Sequence, residues 1–60
     1  LIDDVLATGG TLEAAIALIA DAGGVISSII VLLEISGLQG RARIEKIAPN
    51  IPLHALVTVE

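Results

Sequence analysis

Sixty residues carrying seven acidic and three basic side chains have a formal net charge of −4, which argues against a nucleic-acid footprint because a phosphate backbone is met by clustered Lys and Arg. Cysteine is absent, so disulfides and thiolate metal sites are excluded. Ser27, Ser28 and Glu34 bracket the longest apolar stretch, which leaves no run of the roughly 18 residues that a membrane span requires, and no signal peptide is visible; the 55% hydrophobic content suits a cytosolic α/β protein.

The chain opens Leu1-Ile2-Asp3-Asp4-Val5-Leu6-Ala7-Thr8-Gly9-Gly10-Thr11. This reads as an apolar strand ending in two carboxylates, a tight turn of small residues, and a hydroxyl at Thr11 that caps a helix. A strand feeding a glycine loop that opens a helix leaves backbone N–H groups aimed outward at the positive end of the helix dipole, ready for a phosphate. Asp3 and Asp4 cannot bind that phosphate as well. They suit the neighbouring part of the same ligand, accepting hydrogen bonds from sugar hydroxyls or holding the water shell of Mg²⁺. The ligand implied is a sugar phosphate.

Beyond the loop, Glu13 falls in the first helical turn, where a negative charge suits the dipole, while Ala14 stands where a capping box would place Glu. Leu12, Ala15, Ile16 and Ile19 recur at helical spacing and form a stripe that packs on a sheet. Gly23-Gly24 ends the helix with a left-handed cap. Residues 25–34 contain Ile29-Ile30-Val31-Leu32-Leu33, a β-branched run without alternation, which fits a strand covered on both faces of a parallel sheet. Strand, helix and strand make a right-handed crossover unit, and both Asp3-Asp4 and Glu34-Ile35 then fall at the carboxyl ends of strands, where α/β sheets bind ligands.

Gly37-Leu38-Gln39-Gly40-Arg41 is a turn entering a short helix over residues 41–46, Pro49 and Pro52 mark a connection, and residues 53–59 form a last strand. Arg41, Arg43, Glu45 and Lys46 read as a solvated helix face. Glu34 reads as satisfying loop amides or standing in solvent rather than as an acid catalyst. His54 lacks a partner carboxylate or metal spacing and reads as a structural or surface histidine. The serines show no nucleophile context.

The stretch from Leu1 to Thr11 closely resembles the phosphoribosyl-diphosphate motif of the type I phosphoribosyltransferases, in which hydrophobic residues precede two acids and a loop ending Thr-Gly-Gly-Thr. The resemblance implies that Asp3 and Asp4 face the ribose 2- and 3-hydroxyls and that Ala7, Thr8, Gly9, Gly10 and Thr11 wrap the 5-phosphate. Ala7 stands where 6-oxopurine enzymes usually carry an acid, and Asp4 and Gly10 depart from the uracil and orotate patterns. Leu33-Glu34-Ile35, Gly37-Leu38-Gln39-Gly40-Arg41 and the apolar strand after Pro52 resemble the adenine phosphoribosyltransferases, which places Ile35 against the purine. Ala55 and Val59 depart from that pattern, since Ser and an aromatic are common at those positions.

The fold so implied is α/β, the C-terminal part of a type I phosphoribosyltransferase with a mainly parallel sheet flanked by helices. The activity implied is displacement of pyrophosphate from phosphoribosyl diphosphate by adenine to give AMP in purine salvage, with Mg²⁺ carried mainly by the substrate and no direct metal ligand in the chain. A cytoplasmic homodimer with no nucleic-acid or membrane partner is implied with it. Only Leu1 and Ile2 precede the acidic pair and Met is absent, so residues 1–60 are expected to be the C-terminal segment of one domain truncated at its N-terminus. The family's catalytic loop and base-binding hood precede this stretch; the segment alone is therefore expected to be inactive, with no certain catalytic residue of its own. The competing expectations are a transcription regulator of the same fold that binds phosphoribosyl diphosphate as a signal, and a transferase for another base.

Overall fold

The computed structural model describes all 60 residues. In chain order they form β1 (Ile2–Leu6), α1 (Gly10–Asp21), β2 (Ile29–Ile35), a 3₁₀ turn (Ser36–Leu38), α2 (Gly40–Ile47) and β3 (Leu53–Val59). The three strands make one parallel sheet in the order β1-β2-β3. Ile2 pairs with Ile30 and Ile30 with His54; at the other end Leu6 pairs with Glu34 and Glu34 with Thr58. The carboxyl ends of all three strands are thus level, with the glycine loop directly beyond β1.

One small core holds the layers together. Leu6, Leu12, Ile29, Val31 and Ile44 are each no more than 2% exposed and form a single cluster, each contributing about 1.5–3 kcal/mol of burial. Leu12 comes from α1 and Ile44 from α2, so both helices pack on the same side of the sheet. Ala15, Ile16 and Ile19 are half-buried beside Leu12, as the helical spacing predicts. The expectation that β2 is covered on both faces is corrected: Ile30 and Leu32 are exposed at 37% and 54%, and Ile2 and Leu56 more so. The reason is topological. When strand order runs steadily across a sheet, crossovers of one hand carry every helix to the same side. The run Ile29–Leu33 is apolar on both faces, but within these residues only one face meets a helix.

Element boundaries differ from expectation in three places. β1 does not end at the carboxylates; it runs through Asp3 and Asp4 to Leu6, because Val5 and Leu6 continue the ladder against Leu33 and Glu34. Residues 25–28 lie outside β2, which starts at Ile29. Gln39, at φ 59°, is the left-handed residue joining the 3₁₀ turn to α2. The end of α1 is as expected. Gly23 at φ 83° donates to the Ala20 carbonyl and Gly24 to the Ile19 carbonyl, the paired bonds of a Schellman cap.

Of the charges on α2, Arg43, Glu45 and Lys46 are exposed as expected, whereas Arg41 is not part of that solvated face. Glu34 is 6% exposed, and Arg41 grips it with Nε 3.1 Å from both carboxylate oxygens and Nη2 2.9 Å from Oε1, while Nη1 donates to the Leu53 carbonyl at 2.9 Å. This fork ties α2 to β2 and β3 at once. The hydrogen bond to Glu34 raises the Arg41 pKa against the opposing effect of burial, so the guanidinium stays charged at every working pH. Arg43 pairs with Glu13 across the two helices. His54 is exposed, in keeping with a surface role.

Two stability outcomes follow from this packing. Arg41→Met leaves Glu34 without its counter-charge; because Arg41 itself is 35% exposed, water screens part of the loss, and the cost in urea unfolding is about 2–3 kcal/mol rather than the larger value of a fully buried pair. Adding Glu34→Gln in the same chain recovers part of that loss. Gly40→Ala sets a methyl against the Ala7 carbonyl oxygen and within 2.9 Å of Leu6 Cδ1, so it costs about 1–3 kcal/mol and moves the Ala7 to Gly10 amide resonances.

Candidate phosphoribosyl site

A single cleft of about 320 Å³ opens at the end of β1, lined by the continuous stretch from Asp3 to Leu12. Its volume lies at the lower end of the range for small-molecule pockets. Seven of the eight residues expected to touch a ligand, Asp3, Asp4, Ala7, Thr8, Gly9, Gly10 and Thr11, lie on it together. Ile35 does not line this cleft. It is the half-buried last residue of β2, paired with Val59. Glu34 also stays outside, held by Arg41, so its expected role at loop amides or in solvent gives way to a buried ion pair.

The entry into α1 is built differently from expectation, and in a way that favours an anion. The cap is Gly9, at φ 89°, rather than Thr11, and no side chain caps the helix. Thr11 lies within the first turn. Gly9 can occupy the left-handed region without penalty, and the Gly9 carbonyl accepts the first helical bond, from Glu13 N–H at 2.8 Å. The amides of Gly9, Thr11 and Leu12 then have no partner within the protein, and the Gly10 amide has only a long 3.4 Å contact to Thr8 Oγ1. First-turn amides that line a cleft and have no side-chain cap are the donors an external oxyanion satisfies.

The carboxylates stand one to each side of the strand. Asp3 is half-buried and Asp4 exposed. Each turns one oxygen onto the next residue's amide, Asp3 Oδ1 accepting from Asp4 N–H at 2.8 Å and Asp4 Oδ1 from Val5 N–H at 2.9 Å. Those local bonds fix the carboxylate planes and leave the second oxygens free to accept from hydroxyls or water. No three His, Cys, Asp or Glu side chains converge as a metal site. The free oxygens of Asp3 and Asp4 are hard donors of the kind that Mg²⁺ or its water shell takes.

The glycine loop rests on α2, which sequence reasoning missed. The Gly40 backbone lies against the Ala7 carbonyl, and the space where a Gly9 side chain would project is filled by the Gly40 carbonyl oxygen and Arg43 Cδ. Glycines at residues 9 and 40 thus serve one close approach from its two sides. The spacing Gly37-Leu38-Gln39-Gly40-Arg41 was legible as a turn; that its second glycine seats the loop is visible only in three dimensions.

No protein-family model matches the chain. Curated relatives do: the adenine phosphoribosyltransferase of Streptomyces galbus is 54% identical over 59 residues, covering 98% of this chain and 32% of that enzyme, and that of Streptomyces coelicolor is 51% identical over the same share of each. Among solved structures, the adenine phosphoribosyltransferase of Rhodothermus marinus superposes with a TM-score of 0.86 at 43% identity, covering 97% of this chain and 31% of that one. The enzyme of Trypanosoma brucei, solved with AMP, pyrophosphate and ribose-5-phosphate, superposes at 0.82 with 34% identity, covering 97% of this chain and 26% of that one. The chain spans about a third of the length of the curated relatives it matches. Over nearly all of its residues, in sequence and in fold, it is similar to a segment of the type I phosphoribosyltransferases, and within them to the adenine phosphoribosyltransferases.

Proposed function

We propose that this chain is the phosphoribosyl-binding part of an adenine phosphoribosyltransferase, forming AMP and pyrophosphate from adenine and phosphoribosyl diphosphate. The observation that carries the reading is the uncapped start of α1, with its free amides, sharing one cleft with Asp3 and Asp4. The amides of Gly9, Gly10 and Thr11, with Ala7 and Thr8 around them, hold the 5-phosphate. Asp3 and Asp4 accept hydrogen bonds from the ribose hydroxyls. Held at both ends, the sugar presents C1 to the base, and such positioning lowers a barrier by several kcal/mol.

In the reaction adenine N9 forms a bond to C1, the bond from C1 to the diphosphate oxygen breaks with its electron pair leaving on pyrophosphate, and the N9 proton passes to water. Positive charge gathers on the ribose as that bond lengthens. Two fixed carboxylates beside the hydroxyls stabilise it. The free oxygens of Asp3 and Asp4 would hold the water shell of a substrate-borne Mg²⁺, which would supply charge neutralisation to the leaving group. Ile35, at the end of β2, offers an aliphatic surface to the purine, and Ala7 offers no charge to N7. By family likeness the reading extends to a cytoplasmic homodimer; no helix is long and apolar enough to cross a membrane.

The test is a chimera in which these 60 residues replace the matched segment of the Rhodothermus marinus enzyme. It should bind phosphoribosyl diphosphate and form AMP at a rate comparable with that of the parent enzyme. A folded chimera that binds phosphoribosyl diphosphate without producing AMP would favour the regulator; one that no longer binds phosphoribosyl diphosphate would refute the reading. In the same chimera Asp3→Asn and Asp4→Asn should each raise the KM for phosphoribosyl diphosphate by about tenfold, the loss of one charge-assisted hydrogen bond, with little change in unfolding midpoint because neither side chain is fully buried. Unchanged steady-state kinetics for both variants would remove the carboxylates from the site.

A further inference from the structure

Three carboxylates border the cleft that is read as a phosphate site. Asp3 and Asp4 line it, and Glu13 sits in the first turn of α1, where its charge opposes the approach of a dianion to the same amides. One cation touches the loop. Arg43, three residues into α2 from Gly40, lays Cδ 3.2 Å from where a Gly9 side chain would start and Nη1 3.6 Å from the equivalent point on Gly10, and its Nε pairs with Glu13. The other two basic side chains are placed elsewhere: Arg41 is committed to Glu34 and Leu53, and Lys46 lies in the last turn of α2.

We propose that Arg43 is a positioning residue for the 5-phosphate loop, bracing Gly9-Gly10 from α2 and cancelling the charge of Glu13 at the mouth of α1. The inference rests on the reading of this loop as a phosphate cradle. Its physical basis is twofold. The arginine stem fills the space beside two glycines whose lack of side chains would otherwise leave the loop loose. The guanidinium converts a helix start bearing an uncompensated carboxylate into one that is locally neutral before a phosphate arrives. With both partners part-exposed, at 49% and 36% of their side-chain surfaces, the pair adds little to stability; its consequence lies in the field at the amides and in the mobility of the loop.

The experiment is a titration of the Rhodothermus marinus chimera that carries these residues with ribose 5-phosphate, followed at the Gly9, Gly10 and Thr11 amides by NMR in low salt. Arg43→Ala should weaken binding about fivefold, the effect of roughly 1 kcal/mol of lost charge interaction, while the resonances of the β2 and β3 cores stay in place. Arg43→Lys, which keeps the charge and most of the stem, should bind within twofold of the parent. Glu13→Gln introduced into the Arg43→Ala chain should recover part of the loss, and raising the salt to about 1 M should shrink the gap between parent and Arg43→Ala as the Debye length falls to about 3 Å. A purely structural contribution would respond to neither. Binding by Arg43→Ala within 1.5-fold of the parent, or equal weakness of the Lys and Ala variants, would overturn the role of Arg43 while leaving the phosphate site intact. If the parent itself shows no perturbation of these three amides, the cradle reading fails and this inference with it.

Discussion

The contact between the Gly40 backbone and the Ala7 carbonyl is the constraint around which this small structure is arranged. It brings the N-terminal end of α2 against the loop that joins β1 to α1, at a separation that no side chain on Gly40 would permit. Because Gly40 is held there, Ile44 one turn later reaches the core beside Leu6 and Leu12, and Arg41 reaches Glu34 and the Leu53 carbonyl. A loop of small residues has few side chains with which to fix its own shape. Here a neighbouring helix fixes it.

Polar groups are divided between those spent on the fold and those left for a ligand. The part-exposed Arg41 satisfies the buried Glu34, and no buried side-chain nitrogen or oxygen lacks a partner. At the start of α1 the pattern is reversed: three main-chain amides are free in an open cleft, and the cap position is held by a glycine that has nothing to offer them. A Ser, Thr or Asp at that position would close the helix end on itself and compete with an incoming oxyanion. Absence of an intrinsic cap is therefore what makes the helix start a receptor, and the glycine that allows it also allows α2 to approach.

The wide apolar surface on the side of the sheet away from the helices has the same topological origin as the core. Ile2, Leu32 and Leu56 are exposed at 77%, 54% and 67% because both crossovers deliver their helices to the opposite side. Only nine of 60 residues are buried, so the helix-covered face carries nearly all of the hydrophobic stabilisation within these residues. The relatives that this chain matches are about three times its length.

Much of the architecture was legible in the chain. The β-branched run Ile29–Leu33, the glycine pair after Ala22 and the Pro-bounded strand Leu53–Val59 each obey a local rule of backbone or side-chain shape, so their element types could be read off, although the start of β2 was read four residues early. The order of Asp3, Asp4 and the Thr-Gly-Gly-Thr loop likewise marked the cleft, because a phosphate cradle is made from consecutive backbone groups and needs few distant partners. What could not be read were relations between residues remote in sequence. Thr11 looked like the cap because hydroxyl residues favour that position, yet the cap is Gly9, whose left-handed backbone fits the space left by Gly40. Arg41 looked like a solvent-facing charge because helical periodicity does not reveal what stands opposite, yet it grips a buried glutamate on β2; Arg43 is exposed as read, but its pairing with a glutamate on α1 was not legible. Local conformation and the chemistry of a contiguous loop are written in neighbouring residues, whereas the pairing of charges and the close approach of backbones depend on which elements the sheet brings together, and only the tertiary structure decides that.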